Sequence, residues 1–308
     1  MSQNKPALNV NIAGMQIKNP VIAASGCYGY GKDYLRWIAP EKWGGITLKG
    51  TTLQPRQGNP PPRVIETPSG IINSVGLQNP GIEAVLKEEV PSLQEHDTGI
   101  ILNIAGEALD EYVALARKIN EVREIDAVEI NVSCPNVEKG GISFGTEPEL
   151  VAELVSQVRS AYDGPLIVKL SPLGDELPRI ARAAEEAGAD AISLINTVKA
   201  MTIDVESLRP MLVRESGGLS GPAIRPIAVR AVWEVSQVVQ VPIVGMGGIT
   251  CASDALQFIL AGARAVSIGT ANFVNPLVVE ETVQGIEEYM AKKGFQNIEE
   301  MCGFAKRG

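Results

Sequence analysis

The chain of 308 residues carries a formal net charge of −9, from 27 Lys and Arg against 36 Asp and Glu. That balance excludes nucleic acid and anionic membrane as the main partner, since both select a basic face, and no stretch approaches the ~20 apolar residues that span a bilayer. The length suits one large α/β domain over residues 1–308, because barrels of this class run to ~250 residues before insertions.

Residues 1–6 are polar and lack the apolar core of a secretory signal. Residues 8–18 alternate at Leu8, Val10 and Ile12 about a turn at Ala13-Gly14 and read as a hairpin able to plug the bottom of a barrel. Strands are predicted over 21–25 and 46–50, followed by a Pro- and Gly-rich insertion over 51–78. A third strand over 99–104 leads into a helical period over 107–122, and a fourth over 127–133 precedes a helix over 147–162. The fifth, 166–171, is followed by a helix over 176–187 that stops at Gly188. The sixth, 191–197, is followed by an insertion over 200–222 and a helix over 227–239. The seventh, 242–248, and eighth, 265–270, flank a helix over 252–261 that stops at Gly262. Glycine supplies the left-handed residue that ends a helix. Several strands are nearly continuous apolar runs, as parallel strands covered on both faces are. Eight strand–helix units in series predict a (β/α)8 TIM barrel with an N-terminal hairpin and rim insertions rather than an open sheet. The insertions are natural substrate covers.

The strand ends carry the functional signal. The apolar run 127–130 ends in Asn131, Ser133, Cys134 and Asn136. Burying such groups unpaired costs roughly 1–3 kcal/mol each, so they are expected to face a polar ligand. Other strands end in Ser25, Lys49, Asn103, Lys169, Asn196-Thr197, Gly247-Gly248 and Gly269-Thr270, and this rim is where such barrels build their sites. The glycine turns after strands seven and eight suit backbone contact with a phosphate near a helix N-terminus, or else tight packing. The dinucleotide fingerprint is absent from its proper context, so a mononucleotide-type cofactor fits better than NAD.

The single histidine, His96, lies in a polar segment and reads as a surface residue. Acid–base chemistry then falls to another group. Cys134, between a strand and the glycine-rich stretch 138–145, is the leading candidate; a thiol of pKa near ~8.5 is a usable base for a weakly acidic carbon proton. Cys27 is the weaker alternative. The four cysteines are scattered with no Cys-x-x-Cys pair, which argues against zinc or an iron–sulfur cluster on this chain and for free thiols in a reducing cytoplasmic compartment. Lys49 and Lys169 either reach to water or balance an anionic cofactor and substrate, stabilising charge on a reduced ring. Asn73, Asn131, Asn196 and Thr197, with Asn79 and Asn136 further out, offer donors and acceptors that match an imide-like ring; the loop around Asn73 also reads as ordinary turn chemistry.

The motifs NVSCPN (131–136), NSVGLQNPG (73–81), Lys49-Gly50, Asn196-Thr197, GGLSGP (217–222) and the glycine turns at 245–249 and 268–271 occur in the order seen in dihydroorotate dehydrogenases. The chain resembles that family over essentially its whole length. Cysteine at 134 resembles the soluble class 1 members, and the stretches 24–31 and 217–230 resemble the NAD-using type B catalytic subunit. The resemblance implies FMN at the mouth of the barrel, held by Ala24, Ser25, Lys49, Gly50, Asn103, Asn131, Lys169, Ile195, Gly221, Gly247, Gly248, Gly269 and Thr270. It implies dihydroorotate held by Lys49, Asn73, Ser74, Val75, Gly76, Leu77, Asn131, Asn196 and Thr197. Cys134 and Lys49 are the implied catalytic residues, with Cys134 taking a proton as a hydride passes to FMN and orotate forms, in pyrimidine biosynthesis.

With NAD as final acceptor, electrons must leave through another protein. The resemblance implies a partner subunit carrying FAD and a 2Fe-2S cluster, in a heterotetramer of two copies of each chain built on a homodimer core. The alternatives are a fumarate-using class 1 enzyme, a thiol-nucleophile nucleotide dehydrogenase barrel, and a barrel that only holds FMN as a relay.

Overall fold

The computed structural model describes residues 5–133, 135–136 and 142–307. Eight parallel strands close into a barrel: Val21–Ala23, Gly45–Thr47, Gly99–Ile104, Ala127–Asn131, Leu166–Leu170, Ala191–Leu194, Ile243–Met246 and Ala265–Ile268. Each strand lies beside its sequence neighbours, and the eighth returns to the first through Ser267 opposite Ile22. Nearly every strand residue is buried, because the barrel interior takes one face and the helices take the other. The third strand has its expected bounds; the other seven stop short of their expected C-terminal ends. Their last polar residues leave the ladder and turn toward the mouth; Ser25, for instance, donates its hydroxyl to the Leu48 carbonyl at 2.8 Å.

The five expected helices are present as Leu109–Asn120, Pro148–Arg159, Leu177–Glu186, Arg225–Val235 and Ala252–Ala261. Four are shorter than their period suggested, as terminal turns commonly are. A further long helix, Val278–Lys293, lies beyond the expected elements. It buries Val278, Val279, Thr282, Ile286 and Met290, a stripe at helical spacing. Gly285 lets it approach the helix Ala252–Ala261 closely, since a Cβ there would lie 2.4 Å from the Ala252 side chain.

The hairpin forms from Val10–Ile12 and Met15–Ile17, antiparallel, with Ile12 opposite Met15. Its apolar residues are buried, and Met15 and Ile17 press on Gly99, the first residue of the third barrel strand. It therefore closes the N-terminal end, as its alternation predicted.

The two rim insertions are joined to one another. Val64–Thr67 and Gly70–Asn73 come from the first; Val198–Met201 and Ser216–Ser220 come from the second. Together they form one four-stranded antiparallel sheet in which Asn73 stands opposite Gly218. A single cover over one side of the mouth results.

Candidate active site

A cavity of about 980 Å³ opens at the C-terminal end of the barrel. Every barrel strand contributes to it. Ala24 and Ser25 follow the first strand, Lys49 and Gly50 the second, and Asn103, Asn131 and Lys169 stand on the third, fourth and fifth. Ile195, Asn196 and Thr197 follow the sixth, Gly247 and Gly248 the seventh, and Gly269 and Thr270 the eighth. The rim sheet and its loops add Gly221 and Asn73, Ser74, Val75, Gly76 and Leu77. The structure thus brings together most of the residues singled out from sequence: Cys134 and the Asn136 side chain lie outside what is described, and Asn79 does not line the cavity but is buried in the first insertion, its Oδ1 accepting the Thr52 backbone N–H at 3.2 Å. Ser133, immediately before Cys134, lines the cavity.

One wall is a fixed polar network. Asn196 donates from Nδ2 to Ser133 Oγ at 2.7 Å and to Asn131 Oδ1 at 3.3 Å. Its own Oδ1 accepts the Thr197 backbone N–H at 2.8 Å. Ser133 Oγ also lies 2.7 Å from Ser171 Oγ, and Tyr112 donates its hydroxyl to the Asn131 carbonyl at 2.7 Å. These bonds set which face each carboxamide can offer to a ligand. Across the cavity, Asn73 Nδ2 donates to the Gly218 carbonyl at 3.3 Å, tying the first insertion to the second. Ser171 was missed from sequence, although it directly follows Lys169 and Leu170 at a strand end.

Beside this network the wall is cationic, with Lys169 on the fifth strand in register with Asn131 on the fourth. Lys49 and Lys169 both face the cavity, with the Cys27 thiol between them in charge terms. Burial holds the Lys49 ammonium below the usual lysine range; Cys27 opposes that shift, and Lys169 and Arg63 reinforce it. Burial pushes the Cys27 thiol up, against the pull of Lys169 and Lys49. A thiol kept protonated is a poor base, which disfavours Cys27 for proton abstraction. His96 pairs with Glu41 at 2.6 Å and is not part of the cavity wall, as its polar segment suggested.

The third region is a glycine cradle. Gly248 has φ +73°, and a Cβ there would lie 2.7 Å from the Gly221 carbonyl oxygen and 2.8 Å from Arg225 Cβ. Two chain turns therefore meet with no room for a side chain. Asp254 holds the turn from below, accepting from the Thr250 backbone N–H at 3.0 Å and its hydroxyl at 2.7 Å and pairing with Arg225 at 2.5 Å. Thr270 donates to Ser220 Oγ at 2.8 Å, linking the eighth strand end to the rim sheet. A valine at 248 would have to push the two turns apart. Gly248→Val is expected to abolish retention of a phosphate-bearing cofactor while circular dichroism still reports a barrel; a variant that copurifies with full cofactor would contradict this role.

The model of the dihydroorotate dehydrogenase family matches residues 7–290. The chain belongs to this family. It is 53% identical over 298 residues to the catalytic subunit of dihydroorotate dehydrogenase B (NAD(+)) from Desulforudis audaxviator, covering 97% of each chain. It is 50% identical over 302 residues to the Geotalea daltonii protein of the same description, covering 98% of this chain and 99% of the relative. Among solved structures it is similar to the dihydroorotate dehydrogenase of Eimeria tenella, crystallised with ferulenol, with a TM-score of 0.81 and 25% identity over all of this chain and 91% of that one. The family match spans all eight barrel strands, the rim sheet and most of the helix Val278–Lys293. Every wall of the cavity described above is therefore part of the dihydroorotate dehydrogenase core.

Proposed function

We propose that this chain is the catalytic subunit of an NAD-dependent dihydroorotate dehydrogenase of type B, oxidising (S)-dihydroorotate to orotate with FMN in the cytoplasm. The observation that carries the reading is the convergence, in one cavity, of the glycine cradle, the two lysines and the Asn131–Ser133–Asn196 network, in a chain about half identical to relatives bearing that description.

The residues fit FMN. The cavity lies in the size range of cofactor sites. Gly221, Gly247, Gly248, Gly269 and Thr270 would hold its phosphate by backbone N–H groups and a hydroxyl. Ala24, Ser25, Lys49, Gly50, Asn103, Asn131, Lys169 and Ile195 would surround its ring. When bound, FMN supplies a two-electron acceptor. The chain's own groups do the rest. Asn73, Asn131, Asn196 and Thr197, with the loop Ser74–Leu77, would orient the imide edge and carboxylate of dihydroorotate. Lys49 would balance the substrate's negative charge, and Lys169 the negative charge that accumulates on reduction. Cys134, which directly follows Ser133 in the chain, would take the carbon proton. The rim sheet would exclude water above the reacting carbon.

Electrons would leave through a second subunit bearing FAD and a 2Fe-2S cluster, in a heterotetramer of two catalytic and two electron-transfer chains. The NAD in the relatives' descriptions favours this over a fumarate-using enzyme. Among the described residues no helix is long and apolar enough to cross a membrane. The test is a stopped-flow experiment on the isolated chain. It should copurify with FMN, be bleached by dihydroorotate, and reduce NAD poorly until the partner is added. A colourless chain, or rapid NAD reduction by this chain alone, would overturn the proposal.

A further inference from the structure

Below the cavity floor sits a carboxylate that the reading above does not use. Glu129 lies on the fourth barrel strand and is 3% exposed. Its Oε1 accepts from Asn103 Nδ2 at 2.7 Å, and its Oε2 accepts from Ser193 Oγ at 2.7 Å. The Lys169 ammonium lies 4.0 Å from Oε1. Asn103, Lys169 and Ser193 stand on the third, fifth and sixth strands, so one side chain ties four strands together inside the barrel. A packing position at this depth calls for an apolar residue; an ion there needs partners of opposite charge and donors on both oxygens. Glu129 has these.

The chemistry of the donors fixes an orientation. A carboxylate only accepts hydrogen bonds, and a carboxamide has one donating and one accepting end. Glu129 therefore claims the Asn103 NH2 group. The Asn103 Oδ1 is turned to the other side, 2.9 Å from where a Cβ on Gly50 would be. Both Asn103 and Gly50 line the cavity.

We propose that Glu129 is a positioning residue for the flavin site: it sets the polarity of the Asn103 amide, so that an acceptor faces the ring, and it offsets the charge of Lys169 from behind. This rests on the FMN reading given above. The carboxylate limits how far Lys169 favours the reduced, more negative flavin. Neutralising it leaves the lysine charge uncompensated and favours the reduced form.

The test uses full-length holoenzyme and measures the midpoint potential and dissociation constant of bound FMN. Glu129→Gln keeps shape and removes charge. It is expected to raise the potential by about 30 mV, a tenfold change in the ratio of reduced to oxidised flavin for a two-electron couple. Glu129→Asp keeps the charge but shortens the reach to Asn103. It is expected to leave the potential near wild type while FMN affinity falls about tenfold. Wild-type potential in Glu129→Gln together with wild-type affinity in Glu129→Asp overturns the role. If Glu129→Gln does not fold, Glu129→Asp decides alone: tenfold weaker FMN binding supports the proposal, and unchanged binding overturns it. A wild-type chain that holds no FMN removes the parent reading, an outcome distinct from FMN bound equally by all three proteins.

Discussion

Cys134→Ala is expected to give a folded, yellow protein whose reduction by dihydroorotate is slower by about 10³–10⁴-fold. General acid–base catalysis by a positioned side chain contributes about that much, or roughly 4–5 kcal/mol of barrier. The neighbouring groups are held without the thiol. Ser133 is bonded to Asn196 and Ser171, and Asn131 to the Ser133 backbone and Asn196. Substrate affinity should therefore change far less than the rate of flavin bleaching. Cys134→Ser should be slow at neutral pH and climb as pH rises beyond the point where the wild-type rate has levelled, because a hydroxyl is a much weaker acid than a thiol of pKa near ~8.5. Stopped-flow bleaching between pH 6 and 10 would check both, and near-normal bleaching of the alanine variant at neutral pH would show that the proton goes elsewhere.

Lys49→Met is expected to stabilise the unliganded chain and disable it. Lys49 is held below the usual lysine range first by burial, then by Lys169 and Arg63 acting as like charges against the partial relief from Cys27. The sign of the linkage follows. Between the folded-state value and the ordinary one, the unfolded chain binds the proton and the native chain does not, so native stability rises with pH across that alkaline window. Below the window the native state carries the full cost of a poorly solvated ammonium. Methionine removes that cost and the alkaline rise with it. Melting of the unliganded variant should rise by a few degrees, equivalent to roughly 1–2 kcal/mol. Its kcat/KM should fall by about 10²–10³-fold, the usual loss of one charge-stabilising group. A melting temperature below that of the wild type would mean that Lys49 gains more from its surroundings than burial costs it.

The barrel was legible because each strand is a short apolar run bounded by a polar or glycine break, and those signals are local. Asn103, Asn131 and Lys169 stood out as polar residues at the ends of such runs, and the cavity contains all three. The glycines at 247 and 248 stood out for the same reason; the close approach of Ala228 accounts for the first, and that of Gly221 and Arg225 for the second. All strands but the third were expected too long because composition does not show where a chain leaves a hydrogen-bonded ladder.

What the sequence determined by itself is the number and order of the barrel units and the chemistry gathered at one rim, since alternation, apolar runs and turn residues act over a few neighbours. Only the tertiary structure decided the rest. It paired the two insertions through strands at Asn73 and Gly218, set the Cys27 thiol in the field of Lys49 and Lys169, and brought Ser193 to Glu129 across 64 positions of chain. Glu129 sits inside an apolar strand, where no periodicity marks it. The physical reason is that a buried ion is defined by its partners, and those partners meet only when the barrel closes.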